Sequence, residues 1–547
     1  MSRRGATVPD VLPGASVEID FCPVKPSNNR YLLFTVFVSG MVVLGVEISA
    51  QRLVGNVFGS SNLVWANIIG LMLLYLAAGY FIGGRWADRS PRPSTFFTIL
   101  AVGAFLSGLT PLIAQPVLRF AAVAMGSVNL ALLGGSFVGT LLLFAAPVTL
   151  LGCASPFAVR LAVTDAASAG SASGRIYAVS TMGSLLGTFL PVLVLIPTLG
   201  TRGTFLALSG VLLVVALIGL WRTDPRRGLL ALALPVLLAL GAFLSPAGSL
   251  RPIESLYPGA RLVPGSERES AYNFIQVAQA GDTRWLFLND SLIYHSVYNP
   301  NTLRTGGTFD LFLVAQYFNP TPSVRNLALV GLAAGTVAKQ YTGVFGPVPI
   351  DGIEIDPAVV ETGREFFAMT EPNLNVIIGD GRWELEQLTG TYSVIGVDAY
   401  KPPYIPWQLT TREFFETVRA HLAADGVLVI NVGRTPNDRR LIEALAGTLG
   451  AVFPSVHVVD VPNTGFNSMI YATMQPTDAG NLAANLERLP ADAHPVLRAA
   501  LTDAVANLKP TPASSTVFTD DWAPVEQYAD AIVVGYFLNG DTTELAR

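Results

Sequence analysis

The sequence is poor in charged residues and in cysteine, and it contains no basic run. Only 13% of its 547 residues are charged, against ~25% in a typical soluble domain. The net charge is −5, so electrostatics gives no support for nucleic-acid binding. The two cysteines, Cys22 and Cys153, stand far apart, and we expect neither a metal cluster nor a disulfide framework. Residues 1–30 are polar and Pro-rich and do not resemble a signal peptide.

Charge is missing chiefly from the first half of the chain. Between about residues 31 and 244, apolar runs follow one another, each near the ~20 residues that a membrane-spanning helix needs. The run 117–135 is also apolar but contains Arg119, so it is either an interfacial helix or an eighth span. We therefore predict a multi-pass protein of a lipid bilayer, with a bacterial inner membrane as its location. The seven predicted spans lie near 31–54, 62–83, 95–115, 137–160, 176–198, 203–221 and 228–245.

Basic residues alternate between the loops. The N-terminal tail and the loops after the second, fourth and sixth spans hold most of them, while the odd-numbered loops hold about one each. Because basic loops stay in the cytoplasm, the tail is expected there. Seven spans then place the second half of the chain outside and eight spans place it inside. If the second half is an enzyme that uses a cytosolic cofactor, it should lie on the cytosolic side of the membrane.

The second half has the pattern of a soluble α/β domain. The runs YNFIQVAQ and RWLFLND, separated by AGDT, predict a β-hairpin. From about residue 326, strand and helix patterns alternate, which predicts a mostly parallel sheet with helices on both faces. The predicted segments are a polar tail (1–30), a transmembrane bundle (31–250), a hairpin segment (251–300), an α/β domain (301–476) and a C-terminal helical extension (477–547).

Four predicted strand ends carry the residue types of a nucleotide site. Small residues in VGLAAGT allow the backbone to approach a ligand closely. A carboxylate about 20 residues further on accepts the two ribose hydroxyls, and a carboxylate beside a glycine can accept the exocyclic amine of adenine. Because parallel strands end at one edge of a sheet, we expect these residues to form one adenosyl site. They are Gly331, Gly335, Glu354, Asp380, Gly381 and Asp398.

Residues from about 270 to 432 resemble the spermidine synthase (polyamine aminopropyltransferase) family, whose fold is the class I methyltransferase fold. The whole chain resembles the bacterial membrane-fused members of that family. The resemblance implies decarboxylated S-adenosylmethionine or S-adenosylmethionine as donor, no metal, an amine or membrane-associated acceptor, and a homodimer as one assembly. The motifs that carry it are SAYNFIQV, LFLND, GIEIDPAVVETGREFF, IIGDGR, IPWQLTTREFF, VEISAQRL, GGRWADR and TDDWAPVE.

The resemblance also implies roles for single residues. Glu354 would bind the ribose, Asp380 the adenine, and Asp398 would take a proton from the attacking amine. The remaining residues implied to contact the donor or the acceptor are Gly331, Gly335, Gly381, Asn273, Tyr294 and Tyr400.

Several positions depart from the family pattern. Ala334 stands where the family has an aspartate that grips the aminopropyl ammonium, Lys401 replaces a second acid, and Asn273 replaces a glutamine. A cationic polyamine needs carboxylates to offset its desolvation, so we expect weak activity on putrescine. Aminopropyl transfer is the leading function. The alternatives are methyl transfer to a membrane-associated substrate, and a transporter or sensor that binds a nucleoside without turnover. His295 is expected to be structural.

Overall fold

A computed structural model of the protein describes residues 26–58, 62–124, 134–163, 167–245, 259–289, 293–400, 405–462 and 465–538. The polar tail with Cys22, most of the predicted linker after residue 245, and Lys401 lie outside these ranges. The described chain has a helical first half and an α/β second half.

The helical half consists of long apolar helices. Six helical stretches in the described ranges are long and apolar enough to cross a membrane, by length and composition. Their helices are α1 Pro26–Phe58, α2 Asn62–Arg89, α3 Pro93–Ala124, α4 Ser136–Gly152, α5 Ala154–Ala162, α6 Ala169–Leu190, α7 Ile196–Thr223, α8 Pro225–Ala231 and α9 Ala233–Leu244.

The longest stretch, Ala169–Thr223, is two helical arms that meet at Gly200. Its 55 residues would extend ~80 Å as one straight helix, far beyond the ~30 Å of a bilayer core. Gly200 has φ 68° and ψ 173°, which ends one arm and begins the next. Gly183 and Gly187 of the first arm face Phe37 and Met41 of α1 in parallel order.

The second arm runs in the opposite direction. Tyr31, near the start of α1, donates a hydrogen bond to the carbonyl of Val215 at 2.6 Å, while Gly45, further along α1, lies against Leu208. The chain therefore reverses at Gly200. If the two arms are counted separately, the described residues contain seven long apolar helical stretches.

The apolar run 117–135 does not form a separate eighth helix in the described residues. Its first eight residues are the end of α3, which continues to Ala124. Residues 125–133 lie outside the described ranges and are too few for a span of ~20 residues. α3 and α4 run antiparallel, since Leu118 faces Gly139 and Thr110 bonds to the carbonyl of Leu143. The start of α1 and the α/β half therefore lie at opposite ends of the described bundle.

The α/β half begins with the predicted hairpin. Strands β3 (Phe274–Ala280) and β4 (Thr283–Leu288) pair antiparallel, joined by the two-residue turn that Gly281 and Asp282 supply. β1 (Arg261–Leu262) and β2 (Arg268–Glu269) pair with β3, and β5 (Tyr294–Tyr298) pairs with β4. A 3₁₀ helix, Thr308–Phe318, links this small sheet to the main one.

The main sheet has eight strands in the order β13-β11-β12-β10-β9-β6-β7-β8. The five strands β10-β9-β6-β7-β8 are parallel, and β12 is antiparallel to its neighbours. This is the class I methyltransferase arrangement expected from the resemblance. The strands are β6 Leu327–Val330, β7 Ile350–Glu354, β8 Leu374–Ile378, β9 Tyr392–Val397, β10 Leu422–Gly433, β11 Ser455–Asp460, β12 Asn467–Thr473 and β13 Leu508–Lys509.

Helices cover both faces of the main sheet, and a buried apolar cluster fills the space on each face. The strand order reverses between β6 and β9, so a crevice opens beyond their carboxyl ends. The described part of the C-terminal segment contains three helices and the short strand β13, which extends the sheet. The helices are α10 Thr336–Phe345, α11 Pro357–Phe366, α12 Gly381–Gln387, α13 Arg412–Ala420, α14 Arg440–Gly450, α15 Gly480–Arg488, α16 Pro495–Ala506 and α17 Val525–Leu538.

Polar contacts join the two halves at one end of the bundle. Arg52, near the end of α1, forms an ion pair with Glu269 of β2. Thr201, directly after the Gly200 break, also bonds to Glu269. Asn62, at the start of α2, bonds to Glu526 of α17. The α/β half therefore packs against the end of the bundle that carries the odd-numbered loops.

Candidate active site

The turn after β6 brings two strand ends together. Gly331 has φ +94°, and a Cβ there would lie 2.5 Å from the carbonyl oxygen of Asp398. Only glycine fits this close approach in the left-handed region. Gly335, at φ +83°, begins α10 against the side chain of Met369. Ala333 between them also has positive φ, which turns its backbone N–H toward Glu354.

Glu354 ends β7 with both carboxylate oxygens hydrogen-bonded. Oε2 accepts from the N–H of Ala333 at 2.8 Å, and Oε1 accepts from the N–H of Asp356 at 3.1 Å. Burial raises the pKa of Glu354 to about 7, although these N–H groups lower it. The side chain is thus fixed in orientation and changes charge close to neutral pH.

Asp380 and Gly381 form the start of α12. Oδ1 of Asp380 accepts from the N–H groups of Arg382 and Trp383 at 3.0 and 3.2 Å, the usual bonds of an N-cap aspartate. A Cβ on Gly381 would lie 2.5 Å from Cγ1 of Val330, so glycine lets the helix pack against β6. Asp380 itself is exposed and can meet a ligand.

Asp398 follows β9, beside the glycine turn. Its N–H donates to the carbonyl of Val330 at 2.8 Å, and its Oδ1 accepts from Nδ2 of Asn431 at 2.9 Å. Burial raises the pKa of Asp398 to about 6, while the bond from Asn431 lowers it. The carboxylate is therefore mostly ionised at pH 7 and can accept a proton.

Asn431, which the sequence analysis missed, sets the orientation of Asp398. Its Oδ1 accepts from Nδ2 of Asn467 at 2.9 Å, which fixes the amide group with its N–H₂ toward Asp398. Tyr400 donates its hydroxyl to the Asn431 carbonyl at 3.1 Å, and burial raises the pKa of Tyr400. The signal in the sequence was a polar residue near the end of the apolar run VLVIN.

Two of the proposed substrate contacts are engaged within the protein. Asn273 donates to Oδ2 of Asp356 and accepts from Asn289, both at 2.9 Å. The ring of Tyr294 lies 6.3 Å from that of Phe309, and burial raises its pKa. Asn273 is thus linked to Glu354 through Asp356, whereas Tyr294 packs toward the 3₁₀ helix.

Three further residues border the site. Ser296 accepts a 2.9 Å hydrogen bond from the N–H of Ala334, so β5 supports the glycine turn. His295 is half-buried, and desolvation lowers its pKa to about 4, which keeps the ring neutral. Ile355, beside Glu354, is 39% exposed and offers an apolar surface for a base. Of these three, only His295 was singled out in the sequence.

The comparisons with known proteins concern mainly the α/β half. Residues 339–483 match the family described as "Spermine/spermidine synthase domain". This range contains Glu354, Asp380 and Asp398, and the glycine turn immediately precedes it. A "Probable polyamine aminopropyl transferase" of Bifidobacterium longum is 31% identical over 275 residues, which cover 48% of this chain. The chain spans 61% of that relative, less than two thirds of its length.

A second relative covers more of the chain. A "Polyamine aminopropyltransferase" of Oceanobacillus iheyensis is 25% identical over 460 residues, which are 77% of this chain and 86% of that protein. This is more than the α/β half contains, so the similarity extends into the helical half. A crystal structure of a probable spermidine synthase from Corynebacterium glutamicum aligns with 48% of this chain and 99% of its own. It has 19% identity and a TM-score of 0.36.

Proposed function

We propose that this chain, which carries a spermine/spermidine synthase domain, is a membrane-bound transferase that moves an aminopropyl group from a decarboxylated S-adenosylmethionine donor to an amine acceptor. The relatives named polyamine aminopropyltransferases support this reaction. The six long apolar helices support the membrane location. A cytosolic donor favours an α/β half that faces the cytosol.

One observation carries the proposal. Three carboxylates, those of Glu354, Asp380 and Asp398, follow parallel strands at the same edge of the sheet, around the glycine turn at Gly331. Glu354 is buried and held by two N–H groups, which fix the orientation of its carboxylate. Asp380 is exposed at a helix start, where it can accept the amine of adenine.

Asp398 has the position and protonation of a general base. In the proposed reaction the acceptor nitrogen bonds to the donor carbon beside the sulfonium. The carbon–sulfur bond breaks with its electron pair on sulfur, and methylthioadenosine leaves. The proton of the amine passes to Asp398, whose orientation Asn431 fixes. Orientation of the two reactants supplies most of the acceleration, and the base adds to it.

Ala334 favours a second candidate, methyl transfer from intact S-adenosylmethionine. The side chain at 334 is a buried methyl group that packs with the hairpin, and its N–H bonds to Ser296. An acid at this position would repel the carboxylate of the intact donor, and alanine does not. The acceptor would then be a membrane-associated nucleophile rather than a polyamine.

Calorimetric titration of the full chain in lipid nanodiscs tests the proposal. The ligands are decarboxylated S-adenosylmethionine, S-adenosylmethionine and methylthioadenosine. We expect binding of methylthioadenosine and tighter binding of the decarboxylated donor. A preference for intact S-adenosylmethionine would favour methyl transfer. Absence of binding by all three ligands would refute both reactions.

A further inference from the structure

The end of α1 contacts the α/β half through Arg52 and through Asn56, whose Nδ2 donates to Oε1 of Glu269 at 3.4 Å. Arg52 donates its guanidinium hydrogens to the backbone carbonyls of Ser270 and Tyr272. Its Nε lies 3.4 Å from Oε1 of Glu269. These groups are largely shielded, because the side chains of Arg52 and Glu269 are only 21% and 14% exposed. The loop after β2 is therefore held against the bundle.

The same glutamate contacts the break in the Ala169–Thr223 stretch. Oε2 of Glu269 accepts from the N–H of Thr201 at 2.7 Å, and Oε1 accepts from the Thr201 hydroxyl. A Cβ on Gly200 would lie 3.3 Å from Oε2. A π-helical turn, Pro191–Leu195, precedes this break, and such turns are frequent at functional sites. Glu269 therefore contacts the residues on both sides of the Gly200–Thr201 peptide bond.

The neighbouring serine continues the contacts into the candidate site. The hydroxyl of Ser270 donates to Oδ2 of Asp356 at 2.6 Å. Asp356 is fully buried and starts α11 by accepting from the N–H of Ala358. Its own N–H donates to Oε1 of Glu354 at 3.1 Å. The path from Thr201 to Glu354 has three hydrogen bonds, which join Thr201 to Glu269, Ser270 to Asp356 and Asp356 to Glu354. Glu269 and Ser270 are adjacent in the chain.

We propose that the junction of Arg52, Thr201, Glu269, Ser270 and Asp356 couples the Gly200 break of the bundle to Glu354, so that the conformation of the helical half sets the affinity of the nucleoside site. Glu269 is a positioning residue in this coupling. The inference rests on the proposed function, because it takes Glu354 to be the residue that holds the ribose.

The physical basis of the coupling is that hydrogen bonds, and the chain between Glu269 and Ser270, join each residue of this path to the next, so a displacement of one residue moves its neighbour. A shift of Thr201 moves the carboxylate that it bonds to, and that carboxylate belongs to the strand that leads into Ser270. Ser270 and Asn273 both hold Oδ2 of Asp356, so their movement turns the start of α11 and the N–H that fixes Glu354. Coupling between two sites is reciprocal. Nucleoside binding must therefore also stabilise the bundle at residues 198–204.

Hydrogen exchange on the full chain in nanodiscs tests the reciprocal effect. The probe is methylthioadenosine at saturation. We expect slower exchange at the glycine turn 331–335, at the loop 268–273 and at the break 198–204. The helix start at 439–443 serves as an internal reference and should not change. Protection that stops at the glycine turn in wild type would overturn the coupling.

Two substitutions on either side of the junction test its direction. Glu269→Gln removes the charge from the α/β side, and Thr201→Val removes a hydroxyl donor from the bundle side. We expect each to weaken methylthioadenosine binding at least about fivefold, the low end of typical coupling. Glu269→Gln should also abolish the protection at 198–204 while that at 331–335 persists under saturating ligand.

Arg268→Gln is the matched control. Arg268 lies on the same short strand but pairs with Glu365 of α11 at 2.7 Å and not with the bundle, so its loss should leave affinity within about twofold, as expected for an exposed ion pair. Wild-type affinity in Glu269→Gln and Thr201→Val would overturn the coupling alone. Absence of nucleoside binding by the wild-type chain would instead refute the proposed function, and the coupling with it.

Discussion

The two halves of the molecule use glycine for different purposes. In the bundle, Gly183 and Gly187 of α6 are spaced as G-x-x-x-G and lie directly against the backbone carbonyls of Phe37 and Met41 on α1. In the α/β half, Gly331 and Gly335 have positive φ; Gly331 lies against the backbone of Asp398, and Gly335 lies against the side chain of Met369. The first pair lets two helices touch, and the second pair shapes the turn that borders the candidate site.

The difference follows from what each half must bury. Helices in a bilayer gain little from the hydrophobic effect, so they associate by close backbone packing of small residues. The α/β half instead packs large side chains on both faces of a sheet. Its candidate site residues Glu354, Asp380 and Asp398 lie at the carboxyl ends of the parallel strands.

The largest expected effect is in a topology assay. If each of the seven helical stretches crosses the membrane once, every reporter fusion should give an all-or-none result. Reporter fusions after Ala124 and Arg547 should give one side of the membrane, and a fusion after Arg226 should give the other side. The same side for all three would contradict the seven-pass arrangement. We propose a cytosolic Arg547, against the bias of the arginine-rich even loops. An external Arg547 would refute transfer from a cytosolic donor.

Asp398→Asn should lower turnover by about two to four orders of magnitude, the usual range for a general base. Affinity for methylthioadenosine should change little, because the product contains no attacking amine. Turnover and binding are measured on the same preparation in nanodiscs. Asp351→Asn is the control, since Asp351 lies at the amino end of β7 and bonds to Tyr392. Wild-type turnover in Asp398→Asn would show that this acid is structural.

Glu354→Gln should weaken methylthioadenosine binding at least about tenfold, since it removes a charge-assisted bond to the ribose. Glu361→Gln provides a comparison, because Glu361 is an exposed carboxylate on the neighbouring helix α11, 71% accessible. Calorimetry on both variants separates a local contact from a general change in charge. Equal affinities of the two variants for methylthioadenosine would show that Glu354 does not contact the ligand.

A smaller effect is expected from pH. Because the pKa of Glu354 is raised to about 7, its carboxyl is largely protonated below that pH and ionised above it. Binding that needs the charge should strengthen severalfold between pH 6 and 8. Glu354→Gln should abolish this change. A pH-independent affinity in wild type would contradict the role of the charge.

The sequence predicted the architecture well because both halves follow periodic rules. Apolar runs located the helices, and apolar segments that end in a glycine or an acid located β6 to β9. It could not distinguish seven passes from eight, since the end of α3 and a short span have similar composition. The contacts of Tyr31 with Val215 and of Gly45 with Leu208 show that α7 runs antiparallel to α1. This direction fits seven helical stretches and not eight.

The sequence predicted that three acids lie at strand ends, but it did not predict the residues that orient them. Glu354, Asp380 and Asp398 are adjacent to apolar runs, so their common edge could be inferred. Asn431 and Ser270 act through partners distant in sequence, Asp398 and Asp356, and no local pattern reveals such pairs. Lys401, which replaces a second acid of the family pattern, lies outside the described residues.

Under the proposed function, the attachment of the α/β half to the bundle through Arg52, Thr201 and Asn62 would determine how an acceptor reaches the crevice. With the bundle in a bilayer, these contacts would hold the crevice at a constant height above the headgroups. A lipid-anchored acceptor then arrives by lateral diffusion in two dimensions, whereas a soluble amine arrives from the bulk. Transfer to a lipid-anchored acceptor would therefore depend on its mole fraction in the leaflet, and dilution of the vesicles would not slow it.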